Sequence, residues 1–183
     1  MAEESKFVEI ALDAASKVLH APLAVKRGAS LLYEVTVNNA LIVTVDPKRP
    51  MRGTSAFQTD LCVFESKSVD VEIPRVVLEF KEGITTHDVL TYSAKARKHK
   101  QVYPYLRYGL IVYKEPSVPR RFFTHNESLD FFGALRDVET SALGEFFRKL
   151  ILAEVDASKR LEAIAFEGLR PKLFRSEIML DFK

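Results

Sequence analysis

Over residues 3 to 19, Phe7, Ile10, Ala11, Ala14 and Val18 recur at helical spacing while Glu9, Asp13, Ser16 and Lys17 fall elsewhere, which predicts an amphipathic helix. His20-Ala-Pro22 ends it, because the residue before a proline is steered away from helical geometry. The period then shortens. Leu31 to Val37 and Leu41 to Val45 are β-rich and joined through Asn38-Asn39, whose side chains tolerate positive φ, so they predict a hairpin. Asp46 to Gly53 reads as a loop. Ala56 to Glu65 and Ile73 to Lys81 predict two further strands around a short polar linker, and the whole stretch reads as an antiparallel meander.

Thr85-Thr-His-Asp88 has the spacing of a helix N-cap with an acid three positions on, and predicts a helix from about Thr86 to Val102. Pro104 turns the chain, which restarts as a strand over Arg107 to Tyr113. Arg120 to Thr124 reads as a short edge strand. From Glu139 to about Phe166, Leu143, Phe147, Leu150, Val155, Leu161 and Ile164 recur at three- and four-residue steps, predicting one long helix or two joined near Asp156. The order of elements predicts an α/β (α+β) chain with a central mixed sheet and flanking helices, a single domain over residues 1–183. Its core covers about 3–113, with a C-terminal helical extension over about 125–183.

Composition narrows the chemistry. A lone cysteine, Cys62, excludes an intramolecular disulfide and the cysteine-based zinc patterns. His20, His87, His99 and His125 are scattered and form no His-x-x-x-His pair. Walker A loops, dinucleotide glycine fingerprints and Gly-x-Ser-x-Gly elbows are absent from the sequence, which disfavours ATP hydrolysis, hydride transfer and α/β-hydrolase chemistry. The acidic start and the short apolar runs lead to the expectation of a soluble, cytoplasmic protein with no membrane partner. Charge is uneven: Lys81 to Arg121 holds nine Lys or Arg against the three acids Glu82, Asp88 and Glu115, although the whole chain is only +2. Such a segment suits a polyanion, or is a solvated helix face.

The informative feature is the placing of ionisable groups inside apolar strands. Asp60 interrupts one strand, and Glu79 and Lys81 interrupt the next; residues two apart share a strand face, so Glu79 and Lys81 project together while Val76, Leu78 and Phe80 pack the other side. If the two strands pair, two carboxylates and an ammonium converge. Carboxylates so placed repel unless a cation sits between them, and hard oxygen donors suit Mg²⁺ with waters and substrate phosphate oxygens. Lys81 would orient or deprotonate an attacking water, or neutralise charge developing on the phosphate. Tyr103, Tyr105 and Tyr108, around Arg107, read either as base-stacking platforms or as core packing.

Asp60, eighteen residues, then Glu79-Phe80-Lys81 resembles the motif of the PD-(D/E)XK nucleases, and residues 3 to 113 follow that family's order of helix, three-stranded meander, helix and strand. The resemblance implies a restriction-endonuclease-like core. It also implies an endonuclease that hydrolyses DNA phosphodiester bonds with Mg²⁺, or Mn²⁺ in its place, leaving a 5′-phosphate and a 3′-hydroxyl. Asp60 and Glu79 would hold the metal through their side chains and Phe80 through its carbonyl, with Lys81 as the catalytic lysine. Lys95, Lys98, Lys100 and Arg107 would meet the DNA backbone, and the first-helix acid of many members would be Glu9 or Glu4, with Glu9 taken as the assignment. Thr59 stands where the family name has proline. A surplus apolar stripe on the last helix would suit a homodimer. The alternative is a non-catalytic nucleic-acid- or protein-binding module on the same scaffold.

Overall fold

The structure is a computed structural model that describes residues 2–136 and 138–180. Among these the chain runs α1 (Ala2–Val18), β1 (Leu23–Arg27), β2 (Ser30–Leu32), β3 (Ala56–Gln58), β4 (Leu61–Ser68), β5 (Val71–Lys81), α2 (Thr86–Val102), β6 (Arg107–Val112), α3 (Arg120–His125), β7 (Phe131–Ala134) and α4 (Leu143–Phe166), the last entered through a single 3₁₀ turn. A five-stranded mixed sheet has the order β1-β4-β5-β6-β7, antiparallel from β1 to β5 and parallel from β5 to β7. Strands β2 and β3 form a separate antiparallel pair. No helix among the described residues is long and apolar enough to cross a membrane.

Strand alternation sorts the core into two layers. Leu61, Val63, Val76, Leu78, Phe80 and Ile111 meet α1 and α4 on one face, through Val8, Ala11, Ala15, Phe146, Phe147 and Ile151. Cys62, Val77, Tyr108, Leu110 and Val112 meet α2, α3 and the β2–β3 pair on the other. Strand β5 is therefore buried on both sides, as expected of a strand with a parallel neighbour and helices over each face. Helix α2 begins with the predicted capping box, in which the Asp88 N–H donates to Thr85 Oγ1 (3.2 Å) and the Thr85 N–H to Asp88 Oδ2 (2.8 Å). Strands β6 and β7 approach so closely that a Cβ on Gly109 would lie 2.2 Å from the Phe131 ring, and only glycine fits.

Several expected elements differ. The first strand of the meander is β1, a half-exposed edge strand, in place of the Leu31–Val45 hairpin. Leu31 and Leu32 are buried under α2 and pair with β3, while the expected turn through Asn38-Asn39 forms as a short antiparallel bridge, Val37↔Val43, with the Asn38 N–H donating to the Ile42 carbonyl and the Thr44 N–H to the Thr36 carbonyl (each 3.0 Å), on a largely exposed excursion over residues 33–55. Arg120 to Thr124 is helical, not an edge strand, a turn that buries Phe122 against the Phe132 ring in the α2-side core. The expected C-terminal helical extension is interrupted by β7, which uses Phe131 and Phe132 as a sheet edge, and helix ends at Phe166, beyond which residues 167–180 form neither helix nor strand. The apolar stripe of α4 is largely taken up by α1 and the sheet, leaving Leu152 and Ile164 partly exposed.

A β-bulge anchors α4. The β4–β5 register steps from Val63↔Val76 to Phe64↔Pro74, so Arg75 is the extra residue, beside a proline that has no N–H to give the ladder. The Arg75 guanidinium, 0% exposed, donates to Glu65 Oε2 (2.6 and 2.8 Å), to Glu162 Oε2 (2.6 Å) and to Ser158 Oγ (3.4 Å) on α4. Burial pushes the Glu65 carboxyl up, but hydrogen bonds and charge from Lys159 and Arg75 outweigh it and hold the group at about 2. Removing one member of a buried pair strands the other charge. Arg75→Met is therefore expected to cost roughly 3–5 kcal/mol in urea unfolding, and the double change Glu65→Leu/Arg75→Met to recover most of it.

Candidate active site

The antiparallel register that pairs Leu61 with Leu78 brings Asp60, one step further, opposite Glu79. Asp60 is fixed at the mouth of β4 by its own backbone and its neighbours. Its carboxylate Oδ2 accepts from the Phe80 N–H (2.8 Å), its carbonyl accepts from the Gly28 N–H (3.1 Å), and Thr59 donates to the Ala29 carbonyl through both N–H (2.9 Å) and Oγ1 (3.0 Å). Thr59 thus supplies by hydrogen bonding the rigidity that a proline would supply covalently.

Glu79 lies on the α2 face of β5 and is only 2% exposed. Tyr108 of β6 donates its hydroxyl to Glu79 Oε1. Burial, and then the Asp60 carboxylate, push Glu79 up from an ordinary 4.5 to about 7, against the opposing pull of Lys95 and of the Tyr108 hydrogen bond. Lys81 stands at the carboxyl end of β5 between two helices, with Nζ 3.5 Å from Glu4 Oε1 of α1 and 5.7 Å from the centre of the Tyr92 ring of α2. The Lys95 ammonium lies 4.8 Å from that same ring. Burial, and then negative charge at Glu79 and Asp60, pushes the Tyr92 hydroxyl well up, so the ring is a neutral face between two cations.

The structure thus brings Asp60, Glu79 and Lys81 to one end of the sheet, with the Phe80 carbonyl on the strand between them. Of the first-helix acids it is Glu4 that reaches Lys81; Glu9, five residues along, pairs with Arg27 of β1. Helical spacing alone does not choose between them, but the strand end to which α1 delivers its first turn does.

The predicted basic residues divide. Lys95 lines the site and Lys98 is exposed on α2. Lys100 and Arg107 are instead internal: Lys100 reaches Asp130 Oδ2 (2.7 Å) and the Ser128 carbonyl (2.7 Å), and Arg107 reaches Asp130 (2.9 Å) and Glu154 (2.6 Å). Arg107 also pairs in register with Val76, five residues or roughly 16 Å along β5 from Lys81. These two cations tie α2 and β6 to α4 and to the turn before β7. Tyr103 and Tyr108 are buried packing, and Tyr105 lies half-buried against the Arg75 guanidinium. Cys62 is fully buried, and burial pushes its thiol well up, as fits an inert core residue.

A cleft of about 520 Å³ opens beside Asp60, lined by Arg27, Tyr33, Arg52, Phe57, Gln58 and Lys95 among others. Arg27 is engaged by Glu9, whereas Arg52 and Lys95 make no carboxylate pair among the described residues. One wall is aromatic. The Tyr33 and Phe57 rings stack at 4.1 Å and 23°, Phe57 meets His99 edge-on at 5.7 Å, and His99 stacks at 5.6 Å on Tyr108, the donor to Glu79. His99 is held by donating from Nδ1 to the Leu32 carbonyl (2.8 Å). Sequence reading placed Tyr33 and Phe57 in strands and Arg52 in a loop; only the pairing of β2 with β3 shows that they share a wall.

As a donor set, Asp60, Glu79 and the Phe80 carbonyl are hard oxygens, and among the described residues no group of three or more His, Cys, Asp or Glu side chains is placed to hold a metal. Two carboxylates and a carbonyl fit Mg²⁺, which commonly takes one or two carboxylates and fills its remaining positions from water and phosphate. No protein-family model matches this chain, and a search of curated proteins finds no match.

The raised Glu79 carboxyl has a definite sign. Between 4.5 and about 7 folding takes up a proton at Glu79, so its contribution to stability is full below 4.5 and is lost as pH rises through 7. In metal-free protein, Glu79→Gln is expected to raise the Tm at pH 8, where it removes a buried charge, and to do so much less at pH 5. Thermal unfolding followed across that range checks it.

Proposed function

We propose that this chain is a Mg²⁺-dependent nuclease of the PD-(D/E)XK type, with a restriction-endonuclease-like core, that hydrolyses phosphodiester bonds in DNA. The observation that carries the reading is the juxtaposition of Asp60 and Glu79 across the β4–β5 register, with Lys81 two residues on at the strand end. Burying Glu79 beside the partly buried Asp60 carboxylate is unfavourable for folding, and the raised Glu79 carboxyl is the sign of that cost. A divalent cation between them removes the repulsion. An ion pair on a solvated strand face would need neither the burial of Glu79 nor the second carboxylate.

Asp60, Glu79 and the Phe80 carbonyl would hold the metal; when bound, it supplies Lewis acidity toward the phosphate and a more acidic water. The remaining work falls to the chain itself. Asp60 is aimed by the Phe80 N–H and Glu79 by the Tyr108 hydroxyl, so both carboxylates are set before substrate arrives. Lys81, held between Glu4 and the Tyr92 face, directs its ammonium to the attacked phosphate and the incoming water. Lys95 and Arg52 line the cleft beside Asp60 and would meet neighbouring phosphates. The parallel β5–β6 pair ends here, at the carboxyl edge where open α/β sheets carry their ligands.

Supercoiled, linear, branched and single-stranded DNA incubated with Mg²⁺ or Mn²⁺ should be cut by the wild type. Lys81→Ala is expected to lower the rate roughly 100-fold or more while changing unfolding free energy by less than about 1 kcal/mol. Mg²⁺ should raise the Tm of the wild type but not of Asp60→Ala. Binding without cutting of any form, and no thermal response to metal, would favour the non-catalytic binding module.

A further inference from the structure

The cleft beside Asp60 has a composition that phosphate contacts alone do not explain. Its cations, Arg52 and Lys95, suit a polyanion, but its other wall is the stacked pair Tyr33 and Phe57, half-buried and facing the same opening. The position of this wall is set by the chain. The Tyr33 N–H donates to the Ser55 carbonyl (2.9 Å) and the Tyr33 hydroxyl to the Thr54 carbonyl (3.1 Å), while Phe57 is backed by His99. The cleft holds about 520 Å³. An aromatic face can stack only on a base whose own face is free, and in a duplex the neighbouring base pairs cover those faces, so the wall suits an unpaired nucleotide.

We infer that this cleft seats an unpaired nucleotide next to the scissile phosphate, its base against the Tyr33–Phe57 wall and its phosphate between Arg52 and Lys95, so that the preferred substrate is single-stranded DNA or DNA with an unpaired stretch at the cut. The inference rests on the nuclease reading for the word scissile, but the seat itself is a binding property. The polar groups of the wall also set its selectivity. Gln58 spends its amide on Arg52 (2.7 Å) and on the Gly28 carbonyl (3.2 Å), and Thr59 spends its hydroxyl on the Ala29 carbonyl. Few donors or acceptors remain to read a base edge, so recognition is by stacking and tolerates any base.

The test is equilibrium binding, by anisotropy in EDTA, of a labelled 12-nucleotide single strand and of the matching duplex. The wild type is compared with Tyr33→Leu, Tyr33→Phe and Arg52→Ala, each checked for a native circular dichroism spectrum. The single strand should bind at least tenfold more tightly than the duplex. Tyr33→Leu should weaken the single strand about 5- to 150-fold, the range for loss of one stacked base, and leave the duplex within twofold. Tyr33→Phe, which keeps the ring and loses only the hydroxyl bond to the Thr54 carbonyl, should retain most of the single-strand affinity that Tyr33→Leu loses. Arg52→Ala, on an exposed loop, should reduce the salt slope for the single strand by about one, and it carries the test if Tyr33→Leu does not fold. Equal affinity for the two forms, or equal losses on both in Tyr33→Leu, would overturn the seat. Cleavage in Mg²⁺ separates the two readings: cutting that depends on Lys81 but ignores Tyr33→Leu overturns the seat alone. Selective single-strand binding with no Lys81-dependent cutting overturns the nuclease and leaves the seat standing.

Discussion

The register between β4 and β5 is the constraint on which the rest of the site depends. Because side chains alternate along a strand, a slip of one residue would turn Glu79 toward α1 and α4 and set Asp60 against Phe80. The observed register is enforced by apolar residues on both faces of β5, where Val76, Leu78 and Phe80 fill one layer and Val77 the other. The two irregularities of the pairing, the bulge at Arg75 and a second near Ser68, lie toward the far end of the strands, the first where an arginine can find carboxylates, and the pairing is regular where the two acids meet. Core packing and site geometry are therefore one problem solved by one pair of strands.

Charge is used in two ways along this chain. Toward the β6 N-terminus and the α4 flank, cations are matched one by one: Arg75 with Glu65 and Glu162, Arg107 with Glu154, and Lys100 with Asp130. These pairs are part of how α4 is held on the sheet. At the other end, Lys95 and Arg52 have no carboxylate partner among the described residues and stand beside Asp60. Within the basic segment from Lys81 to Arg121, Lys100 and Arg107 fasten the fold while Lys95 charges the cleft.

Helices α1 and α4 were legible because each carries a long apolar period, and α2 through the capping box at its start. Strands β5 and β6 were legible because they are dense in β-branched and apolar residues. The charged triad of Asp60, Glu79 and Lys81 was legible because acids in such strands stand out. What was not legible depended on partners distant in sequence. Strand β1, Leu-Ala-Val-Lys-Arg, is short and half-exposed, and only its pairing with β4 makes it a strand. The Asn38-Asn39 turn was legible and forms around Val37↔Val43, but its arms do not extend back to Leu31 and Leu32, which pair with β3 and are buried under α2. Whether Lys100 and Arg107 face solvent or an internal acid depends on Asp130 and Glu154, 23 to 47 positions away. Glu4 and Glu9 differ only in where α1 meets the sheet.

The excursion over residues 33–55 leaves the body between β2 and β3 and returns to it, and the two short strands close its base like a collar. Within it, Leu41 and Met51 are largely exposed and pack against neither core layer. The entropy of closing a loop grows only logarithmically, about 0.6 kcal/mol for each doubling in length, so this segment can be lengthened, shortened or exchanged with little effect on the sheet below. Tyr33 and Arg52 sit at its two ends, while Asp60, Glu79 and Lys81 belong to the rigid strands. The chain thereby separates an interchangeable grip from a fixed chemical centre, an arrangement in which selection can retune what is held without disturbing what is done to it.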